Sequence, residues 1–214
     1  NRALIIFGPT SSGKSSLALE IASKQQSTII NADSLQVYSD LRILTSRPST
    51  NDENKIKHKL YGVLSGSENC TLDLWLRFVK KEIQDSINFN KLPIIVGGTG
   101  MYLKGLIDGI SNIPSIPLST YKETKKIIEK KSIKYLYKIL KKRNKFLKIN
   151  PNDTQRIQRA YNVLVYTNKT IEEWNLQNNK IIDNIKFDVF IKSNERNILY
   201  DKSENRFDKM ITHL

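Results

Sequence analysis

A parallel α/β sheet that carries a phosphate-gripping loop, interrupted by a basic helical insertion, is the architecture predicted by this 214-residue sequence. Three observations predict it. Short apolar runs alternate with amphipathic stretches of helix length, the pattern of strands joined by helical crossovers. The first apolar run, "ALIIF" (3–7), passes directly into "GPTSSGKSS" (8–16). The net charge of +14 is also concentrated: residues 119–150 hold 12 Lys and Arg against 2 Asp and Glu, whereas 1–118 hold 13 against 10 and 151–214 hold 10 against 9.

The elements follow in order. "ALIIF" reads as a buried strand, and 14–25 as a helix with Leu17, Ala18, Ile21 and Ala22 on one face. "STII" (27–30) is a second strand, ending at "NADS". Residues 71–87 form an amphipathic helix capped by Thr71, with Leu72, Trp75, Leu76, Val79 and Ile83 along its apolar side. "LPIIV" (92–96) is a third strand and runs into "GGTG" (97–100). Pro114 and Pro117 then break the pattern. From 119 to 148 the text is helical and Lys-rich, with Ile127, Tyr135, Leu136, Ile139 and Leu140 as packing positions. A further helix starts behind Asp153 as N-cap. "FDVFI" (187–191) returns to the sheet, and 194–211 is a last helix. The expected division is 1–113 for the first part of the core, 114–182 for a mainly helical insertion, and 183–214 for the returning strand and helix.

Composition excludes several classes. Lone Cys70 rules out an internal disulfide and a Cys-rich metal cage, and fits a reducing, cytoplasmic setting as an inert thiol. His58 and His213 are too few and too far apart for a metal motif. No apolar run reaches the ~18 residues of a membrane span, and no signal peptide opens the chain. A start without Met and a stop inside a helical pattern are what a C-terminally truncated fragment would show. The concentrated charge predicts a surface for a polyanion.

Gly8, Thr10, Ser11, Ser12, Gly13, Lys14, Ser15 and Ser16 belong to a G-x-x-x-x-G-K-[ST] loop between strand and helix, which makes the core P-loop NTPase-like. Its backbone amides and the helix N-terminus form an anion site, Lys14 adds a cation, and the Ser15 hydroxyl is a ligand for Mg²⁺. An ATP-hydrolysing relative would carry an acid after an apolar strand to hold Mg²⁺. "LPIIV" ends in "GGTG" instead, and the nearby acid is Asp33 after the other strand. Asp33 is therefore free to face a substrate at the carboxyl ends of the strands.

With these residues in view the chain resembles the tRNA dimethylallyltransferase (tRNA isopentenyltransferase) family. The match is carried by "GPTSSGKSSLALEIA" (8–22), "NADSLQVYSDLRILTSRPS" (31–49), "IIVGGTGMYLKGLIDG" (94–109) and "NPNDTQRIQRAYNVLVYTNK" (150–169). The resemblance implies a loop that holds the diphosphate of dimethylallyl diphosphate rather than ATP, with prenyl transfer to the N6 amine of an adenosine beside the tRNA anticodon. It implies Asp33 as general base and Thr99 opposite it as a hydrogen-bonding partner. It also implies Ser34, Leu35 and Gln36, with Asp33, and Gln155, Arg156, Ile157, Gln158 and Arg159 as the stretches that touch the anticodon stem-loop. Arg196 and Arg206, on the last helix, would close over the diphosphate. The enzyme would act as a monomer with Mg²⁺. Arg47 stands where the family usually has Lys, Asn162 where Glu is common, and Gly62 where an acid is frequent. Three rivals share parts of this pattern: an adenylate isopentenyltransferase acting on free AMP, a P-loop kinase that binds ATP, and a degenerate RNA-binding relative, against which intact Lys14, Ser15, Asp33 and Thr99 count.

Overall fold

The computed structural model describes residues 1–212; His213 lies outside the described residues. The chain divides into two compact units, Asn1–Asp108 with Lys180–Leu214, and Gly109–Asn179. The first begins with β1 (Arg2–Phe7), α1 (Lys14–Lys24), β2 (Ser27–Asn31), α2 (Thr50–Lys55), β3 (His58–Lys59), α3 (Leu72–Asn88), β4 (Leu92–Gly97) and α4 (Gly100–Asp108). The second holds β5 (Ile110–Ser111), α5 (Leu118–Lys131), α6 (Ile133–Arg143), α7 (Thr154–Thr167), α8 (Ile171–Asn175) and β6 (Asn178–Asn179). The first is completed by β7 (Lys186–Ile191) and α9 (Arg196–Ile211).

Five strands make one parallel sheet in the order β3-β2-β4-β1-β7. Parallel strands are covered on both faces and so read as unbroken apolar runs rather than alternations. β2 and β4 obey this: every residue from Ser27 to Asn31 and from Pro93 to Gly97 is buried. Ile6, Ala18, Ala22, Ile29, Ile94 and Val96 form the core where α1 meets the sheet. α3 starts where Thr71 Oγ1 accepts the Leu74 N–H at 3.2 Å. It buries Trp75, Leu76, Val79 and Ile83, each worth roughly 1.5–3 kcal/mol or more on leaving water. Leu72, at the start of α3, is only half-buried.

The second unit packs Leu136, Leu140, Leu147, Ile157, Ala160 and Tyr161 into a core of its own. Asp153 caps α7, its carboxylate accepting the Arg156 N–H at 3.0 Å. The unit begins five residues before, and ends three residues before, the limits set by Pro114 and by 182, because β5 pairs antiparallel with β6 and closes it. Tyr135 is not a packing residue. It is exposed, with Lys131 Nζ 4.6 Å from its ring centroid. Among the described residues no helix is long and apolar enough to cross a membrane.

Candidate active site

The site grows from the first crossover. After Phe7 the chain must reverse within a few residues to start α1 at Lys14, and left-handed backbone makes this possible at Ser11 (φ 61°) and Gly13 (φ 87°). Gly8 has a different reason. A Cβ there would overlap the carbonyl oxygen of Lys192, which follows β7. Lys192 N–H donates to the Phe7 carbonyl at 2.7 Å, so the loop's entry is bound to the end of the neighbouring strand.

Thr10, Ser11, Gly13, Lys14, Ser15 and Ser16 line one wall of a cleft of about 420 Å³, within the size range of small-molecule sites. Asp33, Gln36, Thr45, Ser46 and Tyr61 line another part, and Lys202 and Arg206 of α9 complete it. Formal charge in the cleft is therefore three cations against one carboxylate. Lys14 Nζ donates to the Pro9 carbonyl at 2.6 Å. Burial holds the Lys14 ammonium below the ordinary lysine range; Asp33 opposes that shift and Arg206 adds to it. The Tyr61 phenol is pushed well above its usual range by burial, with Asp33 and Glu53 adding to the effect. It stays a neutral hydrogen-bond donor on the cleft wall.

Asp33 sits in a turn that several groups hold. Its Oδ1 accepts the Leu35 N–H at 3.0 Å. Thr99 N–H donates to the Ala32 carbonyl at 3.2 Å, and Thr99 Oγ1 accepts the Ser34 N–H at 2.9 Å. Gly97 lets this happen, because a Cβ at that position would overlap Ala32. Gln36 spends both amide hydrogens on the Thr45 and Ser46 carbonyls, at 2.7 and 2.9 Å, leaving its Oε1 as an acceptor.

The residues expected from the sequence separate into three groups. Thr10, Ser11, Gly13, Lys14, Ser15, Ser16, Asp33, Gln36 and Arg206 share the cleft. Gly8, Ser12, Ser34, Leu35 and Thr99 shape or brace it without lining it, and Ser12 is buried with no partner for its hydroxyl among the described residues. Arg196 lies outside the lining, its guanidinium 6.0 Å from the Tyr200 ring centroid. Side chains return to one helix face about every 3.6 residues, so Arg196 does not share a face of α9 with Lys202 and Arg206, which line the cleft; Ser203 Oγ lies 3.1 Å from Ser11 Oγ. Lys202, Thr45, Ser46, Tyr61 and Val96 are lining residues that sequence reasoning missed. Only the helical spacing of Lys202 from Arg206 could have signalled one of them.

In the second unit Gln155, Arg156 and Arg159 border a separate hollow with Ile149, Ile171 and Glu172. Arg156 pairs with Asp153 at 3.3 Å, and Arg159 donates to the Tyr121 hydroxyl at 3.3 Å. Ile157 cannot offer a contact surface, because it is fully buried in the unit's core, and Gln158 is half-buried and does not line the hollow. Asn162 is also interior, with Thr124 Oγ1 donating to its Oδ1 at 2.6 Å. The unit carries 15 Lys and Arg against 5 Asp and Glu, a net of +10.

Comparison with known proteins places this geometry. A family model described as IPP transferase matches residues 36–213, and one described as isopentenyl transferase matches residues 1–64. The tRNA dimethylallyltransferase of Pelagibacter ubique is 43% identical over 81% of the chain and 56% of its own length. Those of Zymomonas mobilis and Ehrlichia canis are 38% and 37% identical, over 97% and 99% of the chain and 66% and 70% of their own lengths. Among solved structures, a eukaryotic dimethylallyltransferase captured acting on tRNA superposes with a TM-score of 0.79 at 26% identity, over 100% of this chain and 53% of that one. A tRNA isopentenylpyrophosphate transferase from Staphylococcus epidermidis gives 0.60 at 27%, over 99% and 70%. The chain thus spans between about half and seven tenths of the length of these relatives. The phosphate loop, the Asp33 turn and the basic helical unit all fall inside the matched length, and the chain belongs to the IPP transferase family.

Proposed function

We propose that the protein transfers a dimethylallyl group from dimethylallyl diphosphate to the N6 amine of an adenosine beside the tRNA anticodon, releasing diphosphate. The observation that carries this reading is the pairing of a three-cation phosphate cleft with one carboxylate, Asp33, at the end of the neighbouring strand. The close similarity to proteins named tRNA dimethylallyltransferase supports it.

The chemistry asks for such a site. The N6 nitrogen forms a bond to the donor's first carbon as that carbon's bond to the diphosphate oxygen breaks. The electron pair leaves with the diphosphate, and the amine's proton passes to Asp33. An exocyclic adenine amine is a weak nucleophile, so placement in line with the donor supplies much of the acceleration. Negative charge grows on the leaving group, and the loop amides with Lys14, Lys202 and Arg206 are arranged to meet it. Among the described residues no three His, Cys, Asp or Glu side chains gather as a metal site. Ser15, exposed on the cleft wall, is a hard oxygen donor that suits Mg²⁺ sharing its remaining ligands with the diphosphate and water. Bound there, Mg²⁺ would neutralise leaving-group charge.

The second unit would hold the RNA through phosphates, since Lys-rich α5 and α6 offer point charges without base reading. An unpaired loop adenosine leaves its stack at modest cost, and a folded stem gives the cationic unit its phosphates. The enzyme would act as a monomer in the cytoplasm, where tRNA is modified.

The test is labelled dimethylallyl diphosphate with Mg²⁺ and no ATP, offered to the full chain with unmodified tRNA in one tube and AMP in another. Label in tRNA supports the reading. Label in AMP alone would move the reaction to free nucleotides, and ATP turnover without prenyl transfer would make the protein a kinase.

A further inference from the structure

We infer that Asn31, the last residue of β2, is the positioning residue for Asp33. This deepens the proposed reaction and rests on Asp33 acting in it.

Asn31 is 0% exposed, yet its polar side chain has no idle atom. Its Oδ1 accepts the Asp33 N–H at 2.8 Å. Its Nδ2 donates to the Asp33 carbonyl at 3.0 Å and to the Leu60 carbonyl at 3.0 Å. The amide orientation is unambiguous, because the reverse would place its oxygen against two carbonyls. One side chain thus grips Asp33 by both ends of its backbone and ties it to the segment after β3. Asn31 is fixed in turn, its own carbonyl accepting the Trp75 indole N–H at 3.0 Å. Trp75 is fully buried and stacks on Tyr102, ring centroids 4.4 Å apart.

The consequence falls on the carboxylate. With the Asp33 backbone pinned, its Oδ1 reaches the Leu35 N–H, and Oδ2 is left as the acceptor at the cleft. A strand end otherwise frays, and a catalytic carboxylate on a fraying end would sample many directions. A base that must meet a proton in line loses rate steeply when displaced. A buried Asn in the core needs such a reason, since an apolar residue would cost less to bury.

The test uses the full chain with Asn31→Ala and Asn31→Asp. Amide hydrogen exchange followed by NMR should accelerate about tenfold or more at both Asp33 and Leu35 in Asn31→Ala, with the amides of residues 10–16 at parent rates. kcat for prenyl transfer should fall about a hundredfold while diphosphate affinity stays at the parent value. In Asn31→Asp the introduced carboxyl is buried and holds its proton to higher pH than usual. While protonated it keeps one acceptor and one donor for the turn. Its kcat should therefore approach the parent's at low pH and fall as pH rises and the carboxyl ionises, a limb the parent lacks.

Unchanged Leu35 exchange in Asn31→Ala would overturn the inference. So would loss of kcat and diphosphate affinity by one factor, or an Asn31→Asp profile parallel to the parent's. If Asn31→Ala does not fold, the exchange rates and pH limb of Asn31→Asp decide. A parent chain that prenylates neither tRNA nor AMP would remove the proposed reaction, and the exchange arm alone would then judge Asn31.

Discussion

In the proposed reaction Lys14 and Asp33 divide the work of the cleft, and their substitutions should separate cleanly. Asp33→Ala is expected to abolish transfer, by about 10²–10⁴-fold for a lost general base, with diphosphate binding largely intact by calorimetry. Lost diphosphate binding would instead make Asp33 a metal or structural residue. Lys14 gives a pH signature. Burial lowers its pKa in the free protein, and a bound diphosphate draws the proton back. Diphosphate affinity should then be full below the free-state pKa, which lies under 10.5, and decline as pH rises through it. Binding should take up protons in that window. Lys14→Arg, always charged, should remove the decline, and a decline that persists in it would assign the titration elsewhere.

At the scale of elements, two close approaches decide whether the strand ends can form the site. Gly97→Ala would drive a Cβ into the backbone of Ala32, where no flexible side chain can yield. We expect a loss of about 1–3 kcal/mol, read as a lower midpoint in urea, together with loss of transfer. Most of this layout is legible in the residues. "ALIIF" and "LPIIV" are unbroken apolar runs, the pattern of strands in a covered parallel sheet, and Thr71 and Asp153 announce their helices by capping chemistry. The short pieces are not legible. β3 is two residues long, and β5 pairs with β6 through Ile110–Ser111 and Asn178–Asn179, too few positions for any period to register. Asn31 was hidden for another reason: an isolated Asn before Ala-Asp reads as turn chemistry, and only burial shows which amide atoms it satisfies. Tyr61 reaches the cleft by tertiary placement alone.

For the whole molecule, charge is partitioned unevenly between the two units. The second unit's net of +10 leaves +4 for the rest of the chain. Changing four of the lysines between 122 and 145 to Gln should weaken tRNA binding and reduce the slope of log affinity against log salt, by about 0.7–0.9 for each phosphate no longer neutralised. Diphosphate affinity should not change. A slope equal to the parent's would mean that those lysines merely face water. The uneven charge was visible in the sequence, as was the existence of a helical insertion, because Lys accumulates only where α5 and α6 lie. Its limits were misplaced by a few residues, because prolines mark a break in pattern and not the ribbon that closes the unit.

That ribbon has a consequence for how such enzymes diversify. Chain entry at Gly109 and exit at Asn179 are held side by side, about 5 Å apart as paired strands are. A segment whose ends meet can be lifted out and replaced with little penalty in loop closure. The basic helical unit is thereby an exchangeable cassette. Grafting residues 109–179 from a relative with fewer basic residues there should flatten the salt dependence of RNA binding and leave the chain's diphosphate chemistry where it was.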